Sequence, residues 1–321
     1  MGRAQLAGAL LVLGAAGVLF VALAFAAVDD DTRVRSPTEH ARVVGPRVAA
    51  AGDIACDPAS GPYNGGRGSG LECRQLATSD LLVGAGYEAV LALGDIQYDD
   101  GDASAFEVSY DASWGRVKSI TTPVPGNHEY RTADAAGYYR YFGAAAGDPR
   151  KGYYSYEFGD WHVVALNSNC SAVGGCGAGS AQERWLRADL AAHPARCTLA
   201  YWHHPRYSSG QHGGDPKYIA FWQALFDASA DLVLVGHDHD YERFAPQNAH
   251  GELDLVRGIR EIVVGTGGRS LREFKAPSPN SEVRDATSLG ILELTLGAAA
   301  YGWRFRSAVG WFADAGSARC H

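Results

Sequence analysis

Carboxylate, amide and imidazole side chains recur in this sequence directly after short apolar segments. The residues concerned are Asp53, Asp95, Asn127 with His128, His203 with His204, and His237 with His239. Hard oxygen donors combined with imidazole nitrogens suit a hard or borderline transition metal. One carboxylate can bridge two cations, and paired cations bind both the attacking and the departing oxygen in displacement at phosphorus. The residue types therefore predict a two-metal site for phosphate ester chemistry.

Each of these segments has a simpler explanation when it is taken alone. A Gly-Asp pair at a strand end is commonly a turn, and the segment from Gly126 to Glu129 can be one as well. His203 and His204 can be one core histidine beside an exposed one. His237 and His239 are harder to explain in this way, because residues two apart in an extended chain point to the same side. The five segments together favour the metal site over five unrelated turns.

The apolar runs before these residues predict the strands that position them. They cover residues 48–52, 89–94, 122–126, 198–202 and 231–236. Runs of four to six such residues are typical of buried strands. Helical spacing recurs between and beside them, over residues 74–85, 105–118, 181–192 and 218–228. This alternation favours an α/β arrangement with partly parallel strands, in which ligands bind beyond the carboxyl ends of the strands.

Two later stretches, residues 153–167 and 290–305, alternate in the manner of strands. We expect both to form antiparallel hairpins. The predicted fold class is therefore an α/β or α+β sandwich. It has mixed central β-sheets flanked by helices, with antiparallel strands at the edges.

The composition excludes several classes of protein. The 321 residues are 46% hydrophobic and 11% aromatic, which excludes a disordered chain, and the 40 glycines follow no triplet period, which excludes collagen. The formal net charge is −8, from 28 basic and 36 acidic residues. Nucleic-acid binding is not expected, because proteins held by phosphate contacts are usually basic. A small phosphate ester stays compatible, since a bound metal supplies positive charge locally.

An uncharged segment at residues 4–28 precedes three consecutive aspartates. Its length and composition fit an export signal and a membrane-spanning helix equally well, so a cleaved signal peptide and an N-terminal anchor both stay open. Residues 29–45 are predicted to be a linker, followed by a catalytic domain at 46–321. We expect the protein to be exported, either secreted or attached through residues 4–28 to the outer face of the cytoplasmic membrane.

The six cysteines agree with an oxidising compartment. Their order along the chain favours the pairs Cys56–Cys73, Cys170–Cys176 and Cys197–Cys320 among the connectivities that six thiols allow. The sequence has no Cys-x-x-Cys pair, so a structural zinc cluster is a poor alternative.

The five polar segments resemble the signature motifs of the calcineurin-like metallophosphoesterases. They are Gly52 to Ile54, Gly94 to Tyr98, Gly126 to Glu129, His203 to Pro205, and Gly236 to Arg243. Most members carry a histidine where this chain has Ala55, whereas the purple acid phosphatase branch has a tyrosine three residues after the bridging aspartate, as Tyr98 is here. The sequence is similar to that branch over residues 47–243, and the segment from Val263 to Arg269 also resembles bacterial members. The resemblance implies a four-layer metallophosphoesterase architecture.

The resemblance also implies two metal positions. One takes Asp53, Asp95, Tyr98 and His239, and the other takes Asp95, Asn127, His203 and His237, with Asp95 bridging. The implied ions are Fe(III) with Fe(II), Zn(II) or Mn(II), because a phenolate ligand needs a strongly acidic metal ion. His128 is implied to be the acid beside the substrate and His212 a second such histidine, whereas His204 lies outside the ligand set.

The expected function is a dinuclear-metal, acid phosphatase-like hydrolysis of phosphate monoesters. In this mechanism a hydroxide bound to metal attacks phosphorus, and His128 assists the departing oxygen. The nearest alternative is an exported dimetal phosphodiesterase acting on nucleotides or phospholipid headgroups. An inactive exported binding protein is a further alternative, against which the full set of ligand-type residues weighs.

Overall fold

The computed structural model describes residues 43–321, which form two mixed β-sheets flanked by helices. In chain order the strands are β1 (Arg47–Ala51), β2 (Ala89–Leu93), β3 (Thr121–Val124), β4 (Tyr154–Phe158), β5 (Trp161–Ala165), β6 (Cys197–Tyr201), β7 (Leu232–Val235), β8 (Tyr241–Phe244), β9 (Arg260–Val264), β10 (Ser281–Asp285), β11 (Leu289–Gly297), β12 (Ala300–Val309) and β13 (Ala315–Arg319). All five strands predicted before the polar residues are present, as β1, β2, β3, β6 and β7.

Each sheet combines a parallel part with antiparallel edge strands. The first sheet has the order β13-β12-β11-β1-β2-β3, in which β1, β2 and β3 run parallel and β11 to β13 are antiparallel. The second has the order β10-β8-β9-β7-β6-β5-β4, with β5, β6, β7 and β9 parallel. Both predicted hairpins are confirmed, as β4–β5 and β11–β12. The parallel parts bring the carboxyl ends of five strands to one side of the molecule.

Five α-helices accompany the sheets in the described residues. They are α1 (Gln75–Asp80), α2 (Ala103–Ala105), α3 (Ala136–Phe142), α4 (Ala181–Ala192) and α5 (Ile219–Asp227). Helix α4 has the predicted bounds. Ser180 caps its start, because the Ser180 side chain accepts a hydrogen bond from the backbone N–H of Glu183. Helix α1 is shorter than the predicted 74–85, and α5 is one residue shorter at each end than the predicted 218–228.

The prediction of one helix over residues 105–118 is wrong. The segment is instead α2, a π-helical turn at Phe106–Tyr110 and a 3-10 helix at Trp114–Ile120 that is broken at Val117. Aromatic and β-branched residues, and Gly115, have weak helix propensity. The fully buried side chains of Phe106, Tyr110 and Trp114 recur every four residues, so the helical spacing in the sequence reflects core packing rather than a continuous α-helix.

The strands of the second sheet divide the apolar core into two layers. Leu232 and Leu234 of β7 face the first sheet, whereas Val233 and Val235 face helices α4 and α5. This division follows from the period of two in a strand, which sends successive side chains to opposite faces. Because both faces are covered, β7 is apolar throughout, and the polar residues begin where it ends.

All three predicted disulfides are confirmed, as Cys56–Cys73, Cys170–Cys176 and Cys197–Cys320. The first fixes the loop after β1, and the third fastens the end of the chain to the start of β6. Within residues 43–321 we find no helix with the length and apolar character needed to cross a bilayer. The apolar segment 4–28 and most of the predicted linker lie outside the described residues, so those predictions stay as they were made.

Candidate metal centre

The loops after β1, β2, β3, β6 and β7 meet at the carboxyl ends of the parallel strands. Three of the residues they carry have a left-handed backbone, with φ of 59° at Asp53, 46° at Asp95 and 70° at His237. Such values are rare for residues other than glycine and occur mainly where function requires a particular direction of a side chain. The backbone here turns sharply, so that the side chains point inward rather than continue along the strands.

One group of donors surrounds the phenolic oxygen of Tyr98. The Oη atom lies 2.8 Å from Asp53 Oδ1, 3.1 Å from Asp95 Oδ2 and 3.0 Å from His239 Nε2. His239 Nε2 is in turn 3.2 Å from Asp53 Oδ1. All four side chains are buried. The four residues assigned to the first metal position are thus brought into mutual contact.

A second group adjoins the first through Asp95. The Oδ2 atom of Asp95 lies 3.2 Å from His203 Nε2, and that nitrogen lies 3.2 Å from His237 Nδ1. His203 is fully buried and its other nitrogen, Nδ1, lies 2.8 Å from the carbonyl oxygen of Leu93, which fixes the ring. Asp95 Oδ2 therefore contacts both groups, as a bridging ligand must.

Asn127 belongs to the same region and has an unsatisfied atom. Its Oδ1 is buried and has no hydrogen-bond partner, which is unfavourable unless a cation or water completes it. The preceding residue must be glycine, because a Cβ on Gly126 would lie 2.2 Å from Asp95 Oδ1. The unsatisfied oxygen, the two carboxylates and the clustered imidazoles form a donor set that fits transition-metal ions.

Opposite charges shift the pKa values of the buried groups. Burial alone raises the pKa of Asp95, but His203 and the neighbouring histidines outweigh it and hold that pKa well below its usual range. Burial likewise lowers the pKa of His203, yet Asp95 and Asp53 raise it to about 9 overall. Burial and the two carboxylates raise the pKa of Tyr98 well above its usual range. Binding of metal ions to these groups would displace protons from Tyr98 and His203, because metal ligands must be deprotonated.

His128 lies on the solvent side of this cluster. Its ring is 4.1 Å from the Tyr98 ring centre to centre, and its Nε2 is 3.7 Å from Asp95 Oδ2. Its Nδ1 contacts the carbonyl oxygen of Asp99, which directs Nε2 towards the site. Burial lowers the pKa of His128, although Asp95 opposes the shift. The side chain is therefore placed beside, and not among, the atoms of the two donor groups.

His212 also reaches the cluster, from the loop after β6. Its ring stacks against that of His237 at 4.1 Å, and its Nδ1 lies 3.0 Å from Asp238 Oδ1. Its other nitrogen, Nε2, lies 3.2 Å from Nη1 of Arg272. The structure thus brings both sequence-predicted acid residues to the cluster, His128 beside Tyr98 and His212 beside His237.

Several residues that hold the ligands in place have no role in the sequence prediction. Glu129 accepts hydrogen bonds from the backbone N–H groups of Ile96 and Gly126, which ties the β2 and β3 loops together. Ser270 Oγ lies 2.9 Å from Nδ1 of His239 and orients that ring. Glu129 stands inside a motif and Ser270 directly follows the segment ending at Arg269, so both had a weak signal in the sequence.

His204 lies beside the second donor group, and one of its ring nitrogens is within 4.8 Å of ring nitrogens of both His203 and His237. Its Nδ1 lies 2.8 Å from Ser168 Oγ, and its ring is 4.4 Å from that of His237. Burial, together with the charges of His203 and His237, lowers the pKa of His204 well below its usual range. Nothing in the order of the sequence marks Ser168 as its partner.

The family model of the calcineurin-like phosphoesterases matches residues 46–241. The chain belongs to this family. The match contains the first four motifs in full and ends at residue 241, within the fifth. The resemblance stated from the motifs is therefore confirmed.

Several curated proteins are similar to parts of the chain. Purple acid phosphatase 18 of Arabidopsis thaliana is 33% identical over 153 residues, which are 45% of this chain and 34% of the relative. Purple acid phosphatase 15 of the same plant is 28% identical over 69% of this chain and 45% of the relative. Acid phosphatase type 7 of Homo sapiens is 27% identical over 62% of this chain and 52% of the relative. The chain spans about a third to a half of the length of these relatives.

Solved structures support the fold. A purple acid phosphatase from yellow lupin seeds superposes with a TM-score of 0.69 at 18% identity, over 86% of this chain and 54% of that one. A dimetal phosphatase from Danio rerio superposes with a TM-score of 0.56 at 15% identity, over 85% of this chain and 99% of that one. The predicted sandwich of two mixed sheets flanked by helices is confirmed.

Proposed function

We propose that this protein is a dinuclear-metal phosphatase that hydrolyses phosphate monoesters. The observation that carries the proposal is the position of Asp95 Oδ2, 3.1 Å from Tyr98 Oη and 3.2 Å from His203 Nε2. One carboxylate oxygen between two donor groups is the arrangement that a pair of metal ions requires. The similarity to purple acid phosphatases over parts of the chain supports the same activity.

The metal ligands proposed are the seven residues of the two donor groups. Asp53, Asp95, Tyr98 and His239 would hold one ion, and Asp95, Asn127, His203 and His237 the other. When bound, the two ions would activate water and neutralise the charge of the phosphoryl group. Tyr98 favours Fe(III) at the first position, because burial and two carboxylates raise the pKa of this phenol and only a strongly acidic cation would ionise it. Fe(II), Zn(II) or Mn(II) would take the second.

His128 is proposed to assist the departing oxygen. The Asp99 carbonyl oxygen accepts a hydrogen bond from Nδ1–H of His128, so Nε2 of the neutral ring carries a lone pair and takes up the proton that is later transferred. From Nε2, His128 would donate a proton or a hydrogen bond to the leaving alkoxide. The ring keeps its orientation through the neighbouring Tyr98.

His212, beside His237, is proposed to act with His128. Asp238 is fully buried, and hydrogen bonds from His212 and Ser208 hold the pKa of this carboxyl at about 2 although burial raises it. The Asp238 carboxylate therefore accepts from Nδ1 of His212 and leaves Nε2 facing Arg272. Because Arg272 Nη1 donates to Nε2 of the neutral ring, Arg272 would bind an anionic oxygen of the substrate directly, and His212 would join it once Nε2 has taken up a proton.

Metal analysis and two chromogenic substrates test the proposal. Purified protein should contain at least two transition-metal ions per chain and should hydrolyse p-nitrophenyl phosphate faster than bis(p-nitrophenyl) phosphate. Asp95→Asn should lose both metal and activity, whereas Asp160→Asn, in the exposed β4–β5 turn, should lose neither. Faster hydrolysis of the diester would favour the phosphodiesterase, and a metal-free protein without activity would contradict both.

We also propose that the protein is exported. The three disulfides fit an oxidising compartment, since such bonds do not persist in the reducing cytosol. N-terminal sequencing of the mature protein would distinguish the two forms of export. A new N-terminus near residue 28 would indicate a secreted protein, and retention of residues 4–28 would indicate an anchored one.

A further inference from the structure

A second cluster of metal-binding residue types lies at the opposite end of the second sheet. It consists of His162 at the start of β5, Asp189 in the last turn of α4, and His193 directly after that helix. His162 is level with Thr198 on the neighbouring strand β6. Because His203 follows five residues further along, about 15 Å separates this cluster from the metal centre.

The three side chains converge on one point. One ligand atom from each lies within 4.8 Å of those of the other two. His162 Nε2 is 2.9 Å from Asp189 Oδ2, and His193 Nδ1 is 3.4 Å from Asp189 Oδ1. Ligand atoms around a tetrahedral zinc ion, at bonds of 2.0–2.2 Å, lie about 3.3 Å apart. The two separations to Asp189, which are measured to its two different oxygens, differ from that value by a few tenths of an ångström, and the ligand atoms of the two histidines lie within 4.8 Å of each other.

The hydrogen bonding of His162 calls for a proton or a metal ion at both ring nitrogens. Its Nδ1 is 2.8 Å from Glu157 Oε1 and its Nε2 is 2.9 Å from Asp189 Oδ2, so both nitrogens face carboxylates. A neutral imidazole has a single N–H, and the other nitrogen presents a lone pair. With the proton on Nδ1, the lone pair of Nε2 faces a carboxylate oxygen, which is repulsive unless a second proton or a metal ion lies between them.

The surroundings favour a metal ion over a second proton. Glu157 bound to the far nitrogen of His162 forms the carboxylate–histidine pair that orients metal-binding histidines. Ser155 Oγ holds Asp189 Oδ1 at 2.7 Å, and the carbonyl groups at the end of α4 add partial negative charge. Among residues 43–321 no lysine or arginine nitrogen lies within 4.0 Å of the Asp189 carboxylate, whose neighbours at that distance are the two histidines. A second proton would not require His193 to approach the same carboxylate.

We propose that His162, Asp189 and His193 form a third metal site, for a zinc-class divalent ion. Water would complete the coordination, because His193 is exposed while the other two residues are buried. To bind, His193 gives up the contact of its Nδ1 with the carbonyl oxygen of Asp189, now 2.9 Å. The ion would clip the β4–β5 hairpin to the end of α4. This site is independent of the proposed phosphatase activity.

Zinc counting tests the site without an activity assay. Chelated protein is reloaded with excess ZnCl₂, passed through a desalting column and analysed for zinc per chain. Wild-type protein should retain one equivalent more than His193→Ala. His250→Ala is the matched control, since it removes another exposed histidine and should retain the wild-type count. His193→Ala is preferred to a change at His162, because an exposed side chain is removed and the fold is kept.

Glu157, which binds the far nitrogen of His162, allows a second measurement, of zinc affinity. Glu157→Gln should weaken zinc binding at this site by about 10–100-fold in competition with a chromogenic chelator, as the loss of a carboxylate behind a ligating histidine typically does. An equal zinc content in wild type and His193→Ala would overturn the proposal and leave a doubly protonated His162 between two carboxylates. An unchanged affinity in Glu157→Gln would overturn the assigned role of that carboxylate.

Discussion

Replacement of His128 by alanine separates proton delivery from metal binding. The hydrogen bond at 2.9 Å from residue 128 to Asp95 Oδ1 is donated by the backbone N–H, which alanine retains. The ring nitrogen Nε2 is 3.7 Å from Asp95 Oδ2, beyond hydrogen-bond distance. We therefore expect the variant to keep its metal ions and to lose only what the ring contributes to the reaction.

The size of the loss should depend on the leaving group. General acid assistance contributes about 10²–10⁴-fold, which is about 2.7–5.5 kcal/mol of activation free energy. An alkoxide is strongly basic and needs the proton, whereas p-nitrophenolate leaves without one. His128→Ala should lower kcat by about 10²–10⁴-fold on an alkyl phosphate and by less than about 10-fold on p-nitrophenyl phosphate.

The assay measures kcat and KM on both substrates, together with the metal content of each preparation. His250→Ala, a change at an exposed histidine, should behave as wild type on both. Equal losses on the two substrates with full metal content would assign His128 to substrate positioning. Unchanged turnover of the alkyl phosphate would refute any role in proton delivery.

Four further changes test other parts of the structure. Tyr98→Phe should abolish the visible absorption band of the iron-loaded protein, and a retained band would exclude this phenol as the ligand. Gly126→Ala should lower the metal content per chain, because its Cβ would lie 2.2 Å from Asp95 Oδ1; full occupancy on elemental analysis would contradict this. Loss of the Cys197–Cys320 bridge, which spans 123 residues, should lower the free energy of unfolding by about 5 kcal/mol, as loop-closure entropy predicts. Urea titrations measure this change, and a loss under about 1 kcal/mol would show that another constraint holds the C-terminus. Burial raises the pKa of Glu261 well above its usual range. Above the usual glutamate pKa, the folded state therefore holds a proton that the unfolded state has lost. The free energy of unfolding consequently falls as the pH rises through this range. Glu261→Gln should therefore raise Tm at about pH 8 more than at about pH 4, and equal shifts would contradict the assignment.

Local patterns in the sequence sufficed for most of the fold. Helix α4 has the predicted bounds, because Ser180 caps its start and its periodicity is regular. The five strands followed from apolar runs, since each is buried on both faces. The segment 105–118 could not be predicted in this way, because the helical spacing of its aromatic residues is equally compatible with a series of short turns around a core.

The residues of the candidate site were likewise predictable only in part. Asp53, Asp95, Asn127 and the histidines of the motifs were identified from residue type and position after a strand. Ser168, Ser270 and Asp238 were not assigned roles, although each holds a histidine of the cluster. A serine that binds a histidine through one hydrogen bond leaves no periodic or compositional trace, so only the packed structure identifies it.

The sequence by itself determined which residue types follow each strand, and hence the chemistry open to this protein, because strand propensity and donor chemistry are properties of short segments. Only the tertiary structure decided that Asp95 Oδ2 lies between Tyr98 and His203 and that His162 meets His193. The contacts of Asp95 with His203 and of His162 with His193 join residues that are far apart along the chain, and their distances depend on how the two sheets and their helices pack together.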